Sequence, residues 1–454
     1  KETSQLIRTE KISATELLES VLDRIGQVEK KVKAFVTVMR EEARQSAAEA
    51  DREIRKGKYR GPLHGIPIAV KDLIDTAGTR TTSGSKVRAH FVPSRDAAVI
   101  ERLKAAGAII IGKTGTYEFA YVSVKAPTHN PWSLDHQPGG SSAGSGAAVA
   151  ADMCLAAIGT DTGGSIRAPS CFNGIAGLKP TYGLVSKRGV TSLAWTLDHI
   201  GPMTKTVEDT AILLNAIAGF DPSDPASVEF HHPDYSHSLR RGVRALRLGV
   251  PKNYFFENIE PKVEEAVRES LKVLRRLGAK TIDVEIPYLE YTMPVEFAII
   301  GAEATAYHEK SIRRNARLYD QDVRAYLELG ELLPSRYYLK AQRVRGLIKT
   351  ALEAALNRVD VLVTPTAPVT PARLEQREFK FDGRRENVLY SYVRYCCPFN
   401  LAGLPAISVP CGFTRNSLPI GLQIAGNAFA EETVLRVAHA YESATNWHQR
   451  NPPI

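Results

Sequence analysis

The nine-residue stretch GTDTGGSIR at residues 159–167 is the most informative part of this sequence. It places the hydroxyl of Ser165 directly after Gly163 and Gly164, whose backbone N–H groups can turn toward one point. Convergent N–H groups stabilise the negative charge that develops on a carbonyl oxygen under attack, and a neighbouring hydroxyl can serve as the nucleophile. The stretch therefore predicts acyl transfer, with Ser165 as the first candidate nucleophile.

Two segments upstream carry further polar groups. The segment PGGSSAGSG at residues 138–146 is too rich in glycine and small polar residues for the interior of a strand or helix, so we predict a loop. The segment HGIPIAVKD at residues 64–72 is apolar and β-like, and it ends its apolar run at Lys71. Burial lowers the pKa of a lysine, so Lys71 could act as a neutral base. The alternative is a strand-end lysine whose stem packs on the core while its ammonium reaches water.

Together the three segments resemble the amidase signature family, which combines a lysine on a G-I-P-x-x-V-K-D strand with a G-G-S-S-x-G-S loop and a G-T-D-T-G-G-S-I-R loop. The resemblance runs over residues 63–209 and reappears in NLAGLPA at 400–406 and PIGLQ at 419–423. It implies hydrolysis of amide C–N bonds on a fold with a large mixed central sheet.

The resemblance also implies a role for each residue of the motifs. Ser165 matches the acylated nucleophile, Ser141 the bridging serine that follows a cis peptide bond, and Lys71 the base. The oxyanion hole is implied to consist of the backbone N–H groups of Thr162, Gly163 and Gly164.

The chemistry of the residues agrees with these roles. A serine needs an adjacent base, and the sequence offers no convincing Ser-His-Asp set, whereas Ser-Lys variants are an established alternative. Ser142, Asp161 and Arg167 are candidates for substrate binding or loop support. Arg167 could bind a substrate carboxylate or lock the loop through bonds to its carbonyl groups. We expect Asp161 to make loop hydrogen bonds, because a free carboxylate there would oppose the developing charge.

Substrate choice depends on Val393. Much of the chain is similar to the glutaminase subunit of transfer-RNA-dependent amidotransferases, in which an aspartate seven residues before the asparagine of N-L-A-G-L-P helps to bind the glutamine α-amino group. Here that position is Val393, among Tyr390, Tyr392 and Tyr395, and residues 117–124 could line the same pocket. An apolar residue would leave the ammonium unpaired, so we predict an amidase for neutral or aromatic amides.

Other functions fit the sequence less well. The glutaminase subunit is the main alternative, followed by a urea or carbamate hydrolase and a non-catalytic binding protein, against which the intact motif residues argue. GAIIIGKT at residues 107–114 matches a phosphate-loop expression, but three isoleucines predict a buried strand, fed by a helix over 96–106 that Asp96 caps. GSSAG at 140–144 lacks the preceding strand of a hydrolase elbow.

Composition and charge limit the remaining classes. The chain has 454 residues, 43% of them hydrophobic and 24% charged, with a net charge of +9 spread over predicted helices rather than clustered. Five cysteines without zinc spacing indicate a reducing, cytoplasmic setting. We expect a small-molecule amide substrate, no cofactor, and no metal, membrane or nucleic-acid partner; a homodimer stays open.

The pattern of elements predicts an α/β fold, a three-layer α/β/α sandwich. We predict helices at 41–56, 263–277 and 432–443, a helix opened by the capping box at 13–16, and strands at 66–70, 108–111, 246–250, 359–364, 407–411 and 420–425. A single domain spans 1–454, with a helical N-terminal region to about 60, a catalytic core over about 61–220 and an α/β lobe over about 242–454.

Overall fold

The computed structural model describes residues 1–122, 127–381 and 383–454. Within these ranges one sheet has eleven strands in the order β1-β3-β2-β4-β6-β5-β12-β13-β9-β7-β8, and β10 and β11 form a separate hairpin. The strands are β1 (Phe35–Val38), β2 (Pro67–Lys71), β3 (Ile109–Thr114), β4 (Ala156–Asp161), β5 (Ala176–Lys179), β6 (His199–Thr204), β7 (Arg247–Pro251), β8 (Lys280–Val284), β9 (Val361–Pro365), β10 (Glu378–Phe381), β11 (Arg384–Asn387), β12 (Ala406–Phe413) and β13 (Pro419–Ala425).

The sheet is mixed. Strand β2 lies parallel to both β3 and β4, and β7 lies parallel to β8 and β9, whereas the remaining neighbours in the sheet are antiparallel. The predicted large mixed central sheet is confirmed.

Helices cover both faces of this sheet. They are α1 (Glu2–Arg8), α2 (Ala14–Val32), α3 (Arg40–Arg55), α4 (Ala98–Ala105), α5 (Ala143–Ala150), α6 (Arg167–Asn173), α7 (Val207–Ile217), α8 (Pro261–Arg276), α9 (Thr292–Asn315), α10 (Gln321–Glu331), α11 (Ser335–Leu356), α12 (Val388–Val393), α13 (Cys397–Leu401) and α14 (Glu431–Ser443). Successive strand residues point to opposite faces: Ile110 belongs to the same buried cluster as apolar residues of α4, α7 and α14, whereas Ile109 and Ile111 belong to the cluster that contains residues of α2, α3 and α5. This alternation produces the predicted three layers.

Local signals located several elements correctly. The side chain of Ser13 accepts the N–H of Glu16, whose carboxylate accepts the N–H of Ser13 in return, so the capping box is present. Strand β3 confirms that residues 109–114 are extended and buried, as the three isoleucines predict. The N-terminal region contains strand β1 as well as helices, and the predicted division of the chain into regions stays a prediction.

Two local predictions were wrong. Asp96 does not cap α4, which begins after Ala97; its carboxylate accepts the N–H of Ala77 and binds Lys104 instead. Residues 138–146 are not all loop, because α5 begins at Ala143. The glycines of this helix permit close packing: a Cβ on Gly144 would collide with backbone atoms of neighbouring segments. Packing of this kind outweighs the low helix propensity of glycine.

Candidate active site

Lys71 ends strand β2 inside the protein. Its side chain is completely buried, and Nζ donates hydrogen bonds to Ser141 Oγ at 2.8 Å and to Thr160 Oγ1 at 2.7 Å. The peptide bond between Gly140 and Ser141 is cis, as the resemblance implies. The ammonium therefore does not reach water, and the alternative of a solvent-exposed strand-end lysine does not apply.

The environment of Lys71 favours its neutral form. Burial lowers the pKa of Lys71 to about 7, although the charges of Asp161 and Asp198 act in the opposite direction. At neutral pH a substantial fraction of this amine is unprotonated and can accept a proton.

Ser165 lies between the end of β4 and the start of α6. Its side chain is buried apart from a small exposed fraction of 8%, and its carbonyl oxygen accepts the N–H of Ser142 at 3.2 Å. Ser165 and Ser141 line the same cavity, which has a volume of about 50 Å³. The fold thus brings the three candidate catalytic residues, Lys71, Ser141 and Ser165, to one site from three separate segments.

The loop before Ser165 lines this cavity and, in the described part of the chain, has unpaired backbone N–H groups, but not all of those expected. Within the ranges that the structure describes, the N–H groups of Thr162, Gly163 and Ser165 have no hydrogen-bond acceptor. The N–H of Gly164, expected in the oxyanion hole, instead donates to Asp161 Oδ1 at 2.8 Å. The reason is that the buried carboxylate of Asp161 needs donors, and Gly164 is within reach.

Asp161 and Arg167 form a buried ion pair behind the loop. Both side chains are fully buried, and Arg167 Nη2 lies 2.9 Å from Asp161 Oδ1. Arg167 uses all five of its N–H groups, toward Asp161 (twice), Asn400, Gln423 and the carbonyl oxygen of Cys396. Arg167 could bind a substrate carboxylate or hold the loop in place. This geometry supports the second role, since no N–H donor of its side chain is left for a substrate.

The charge of Asp161 is held by these contacts. Burial would raise the pKa of Asp161, but the charge and hydrogen bonds of Arg167, with the charge of Lys179 and a hydrogen bond from Asn400, bring it below its usual range. The carboxylate also accepts the backbone N–H groups of Ile166 and Arg167. These bonds are the loop hydrogen bonds expected of Asp161.

Ser142 supports the neighbouring strand. Its hydroxyl donates to the carbonyl oxygen of Thr160 and accepts the N–H of the same residue, both at 3.2 Å. Ser142 is fully buried and is not among the residues that line the cavity of Ser165. It therefore fixes the position of Thr160, the second partner of Lys71.

The walls of the cavity are mainly apolar and aromatic. Val393, at the end of α12, lines it, and so do Tyr117, Ala120, Tyr121 and Val122 of the segment expected there; Ser123 and Val124 lie outside the described residues. An adjoining cavity of about 440 Å³ shares Tyr121, Phe297 and Leu389 with it and adds Tyr390. Tyr392 and Tyr395 are buried and bond to the protein backbone instead.

A sequence profile of the family described as Amidase matches residues 16–435. The chain belongs to the amidase family. It is 45% identical to an amidase of Pseudomonas putida over 100% of this chain and 97% of the relative. It is 43% identical to the A-type subunit of the glutamyl-tRNA(Gln) amidotransferase from Carboxydothermus hydrogenoformans, over 100% of this chain and 98% of that protein.

A solved structure agrees with this assignment. The crystal structure of a bacterial aryl acylamidase of the amidase signature family superimposes with a TM-score of 0.90 at 26% identity, covering 98% of this chain and 96% of that one. The resemblance carried by the motifs is confirmed, and the protein is an enzyme of a family that hydrolyses amide C–N bonds.

Sequence reasoning missed several residues of this amidase site. Thr160 lies inside the motif that carries the nucleophile, so the sequence marked it as part of the site, although it did not show the hydrogen bond with Lys71. Asn400 and Gln423 lie in the two C-terminal segments that carry the resemblance, where the motifs suggested importance but not the contact with Arg167. Glu296, on α9, lines the cavity beside Ser165 without belonging to any motif.

The described ranges also bear on metals and membranes. No group of three or more His, Cys, Asp or Glu side chains there could hold a metal ion. No helix in the same ranges is long and apolar enough to cross a membrane. The five cysteines are all free and buried.

Proposed function

We propose that this enzyme hydrolyses carboxylic amides through an acyl-enzyme on Ser165, with Ser141 and Lys71 as the proton relay. The single observation that carries the proposal is the hydrogen bond of 2.8 Å between Lys71 Nζ and Ser141 Oγ at the cavity that Ser165 also lines. A buried lysine with a lowered pKa is a suitable base for a serine, which is a weak nucleophile by itself.

The first half of the reaction forms the acyl-enzyme. Neutral Lys71 takes the proton of Ser141 while Ser141 takes that of Ser165, whose Oγ bonds to the carbonyl carbon. The carbonyl oxygen becomes an oxyanion that accepts hydrogen bonds from the N–H groups of Thr162 and Gly163. The intermediate then collapses, the C–N bond breaks, and the proton returns through Ser141 to the leaving amine.

The second half releases the acid. A water molecule gives its proton to the same relay and attacks the ester carbon, which forms a second oxyanion in the same place. Collapse breaks the bond to Ser165 Oγ, which regains a proton, and the carboxylic acid leaves. Lys71 is neutral again at the end of the cycle.

We infer that the substrate is a small amide that is neutral or aromatic. Support comes from Val393, which presents an apolar wall where the glutaminase resemblance implies a carboxylate, and from the aromatic residues Tyr121, Phe297 and Tyr390 along the two cavities. A charged α-amino group against Val393 would lose its hydration without gaining a partner. The aryl acylamidase similarity is in accord with this preference.

The alternative is a glutaminase subunit of a transfer-RNA-dependent amidotransferase, favoured by the identity of 43% to one such protein over the whole chain. The two functions differ in what the isolated chain does. Ammonia release from glutamine and amine release from an anilide are measured side by side without partner proteins. We expect anilide or simple amide hydrolysis to dominate. Efficient glutaminase activity with inert anilides would favour the alternative.

We also propose a cytoplasmic location and a small-molecule substrate without nucleic-acid partners. The location rests on the five reduced, buried cysteines, which need no oxidising compartment. Sedimentation of the purified protein would decide whether it forms the homodimer that the sequence leaves open.

A further inference from the structure

Glu296 is a buried carboxyl group that has no hydrogen-bond partner among the described residues. It lies in α9 with an exposed fraction of 2%, and neither of its carboxyl oxygens has a hydrogen bond within the described residues. It lines the same cavity as Ser141 and Ser165. A Cβ placed on Gly163 would lie 2.9 Å from Glu296 Oε1, so the carboxyl group touches the loop that carries the proposed oxyanion donors.

A second glutamate on the same helix shows how unusual this is. Glu303, two turns later and equally buried, accepts hydrogen bonds from Thr196 N at 3.0 Å, Thr196 Oγ1 at 2.7 Å and Tyr338 OH at 3.1 Å. Buried polar groups are nearly always satisfied in this way, because an unsatisfied one costs free energy. The exception at Glu296 faces the reaction site, where a ligand can supply the missing partners.

The surroundings of Glu296 favour an uncharged carboxyl group. Burial raises the pKa of Glu296 well above its usual value, and the charge of Arg345 only partly offsets this. Arg345 directs its hydrogen bonds to Leu401 O, Gln342 Oε1 and Thr196, not to Glu296. A neutral carboxyl group has one O–H donor and one carbonyl acceptor. An ionised one beside Gly163 would oppose the oxyanion.

We infer that Glu296 is a specificity-determining residue that binds a second carboxamide group carried by the amide substrate. A carboxyl and a carboxamide group complement each other, because each presents one donor beside one acceptor and the pair forms two hydrogen bonds. The inference deepens the proposed function and rests on it. Val393 offers no hydrogen-bond partner to a substrate ammonium group, whereas Glu296 offers one to a neutral polar group in the same cavity.

The experiment compares amides that differ at their far end. The substrates are butanediamide and pentanediamide, which carry a second carboxamide; 4-oxopentanamide and 5-oxohexanamide, in which a methyl ketone replaces it; and 4-aminobutanamide, which carries an ammonium. We expect the wild-type enzyme to prefer the better diamide over its ketone by about tenfold or more in kcat/KM, since a site built for an N–H group rejects an analogue without one.

Two variants then test Glu296 itself. Glu296→Leu should lower kcat/KM for the diamide to that for the matching keto-amide, because a leucine side chain cannot form hydrogen bonds with a carboxamide or with a ketone. Glu296→Gln should keep most of the preference, because its carboxamide also presents a donor beside an acceptor. If 4-aminobutanamide is instead the best substrate and Glu296→Gln no longer hydrolyses it efficiently, the Glu296 carboxyl group is ionised and the inference is overturned.

Failure of the inference and failure of the proposed function are distinguishable. In one outcome the wild-type enzyme hydrolyses a diamide and its keto-amide with equal kcat/KM, and Ser165→Ala abolishes both reactions. That result would overturn the role of Glu296 but would leave the amidase mechanism intact. If the wild-type enzyme hydrolysed none of these amides, nor glutamine nor an anilide, both the inference and the proposed function would be overturned.

Thermal unfolding supplies a readout independent of activity. Glu296→Leu should keep or raise Tm, because it removes an unpaired buried polar group, whereas Glu303→Leu should lower Tm by removing three hydrogen bonds. A fall in Tm for Glu296→Leu as large as that for Glu303→Leu would indicate a structural role and contradict the inference.

Discussion

Lys71 Nζ and Ser141 Oγ lie 2.8 Å apart although 70 residues separate them in the chain. One group ends a buried strand, and the other follows a cis peptide bond two residues before helix α5 begins. Neither reaches solvent appreciably, so the proton that they share is insulated from water. Catalysis should therefore depend on this contact and on the residues that surround it.

Replacement of Lys71 should remove the general base of the proposed proton relay. Lys71→Ala is expected to lower kcat/KM by roughly 10³-fold or more, as loss of a triad member does in other acyl-transfer enzymes. The matched control is Lys113→Met: Lys113 is also completely buried, on the adjacent strand β3, but it bonds to Ile74 O, Thr76 and Thr81 away from the cavity. Per folded molecule, that variant should keep the wild-type rate. A Lys71→Ala enzyme with wild-type kinetics would show that another group is the base.

The pH profile should report the same lysine. Because the pKa of Lys71 is lowered to about 7 and only its neutral form accepts a proton, kcat/KM should fall about tenfold per pH unit below that value and level off above it. Steady-state rates measured from acidic to alkaline pH across that value check this. A profile that is flat through pH 7 would contradict the assignment.

Substitution of Ser165 should abolish turnover without harming the fold, since the acyl group has no other attachment point. Ser165→Ala is expected to keep the wild-type Tm and to lose reaction with a fluorophosphonate. Mass spectrometry of the labelled wild-type protein should find one modified peptide, the one containing Ser165. Label on Ser142 or Cys171 would refute the choice of nucleophile.

Arg167 should act on stability rather than on substrate binding. Arg167→Met leaves Asp161 as a buried charge without its partner, which is expected to cost about 3–5 kcal/mol of unfolding free energy. Arg167→Lys should rescue little, because one ammonium cannot replace five N–H donors in a planar fork. Urea unfolding measures both variants. If Arg167→Met kept the wild-type stability but raised KM for amides that carry a carboxylate group, Arg167 would instead be a binding site for the substrate carboxylate.

Val393 should control the response to an ammonium group. Val393→Asp introduces a carboxylate into the cavity wall and is expected to raise kcat/KM for glutamine by about tenfold or more relative to the wild type, while activity on apolar amides falls. Val393→Asn, similar in size but uncharged, is the control and should not improve glutamine hydrolysis. Improvement by both variants would show that charge is not the cause.

The sequence by itself determined the family, the three catalytic candidates and the class of fold. Short motifs indicated the family and the catalytic candidates, because the conformation around Ser165 depends on glycines next to it in the chain. Hydrophobic periodicity indicated the class of fold, and it placed strand β3 correctly despite a phosphate-loop match. The capping box at Ser13 was equally local, since both of its hydrogen bonds join residues three apart.

Only the tertiary structure decided which polar groups meet. Arg167 is locked by Asn400 and Gln423, which are 233 and 256 residues away, and no local pattern encodes such a contact. Gly164 gives its N–H to Asp161 because the folded loop brings the carboxylate there. Glu296 and Glu303 lie on the same helix, yet in the part of the chain that the structure describes Glu303 has hydrogen-bond partners and Glu296 has none. Whether a buried polar group finds a partner depends on segments distant in the chain, and it is this property that distinguishes a structural carboxyl group from one that faces the substrate.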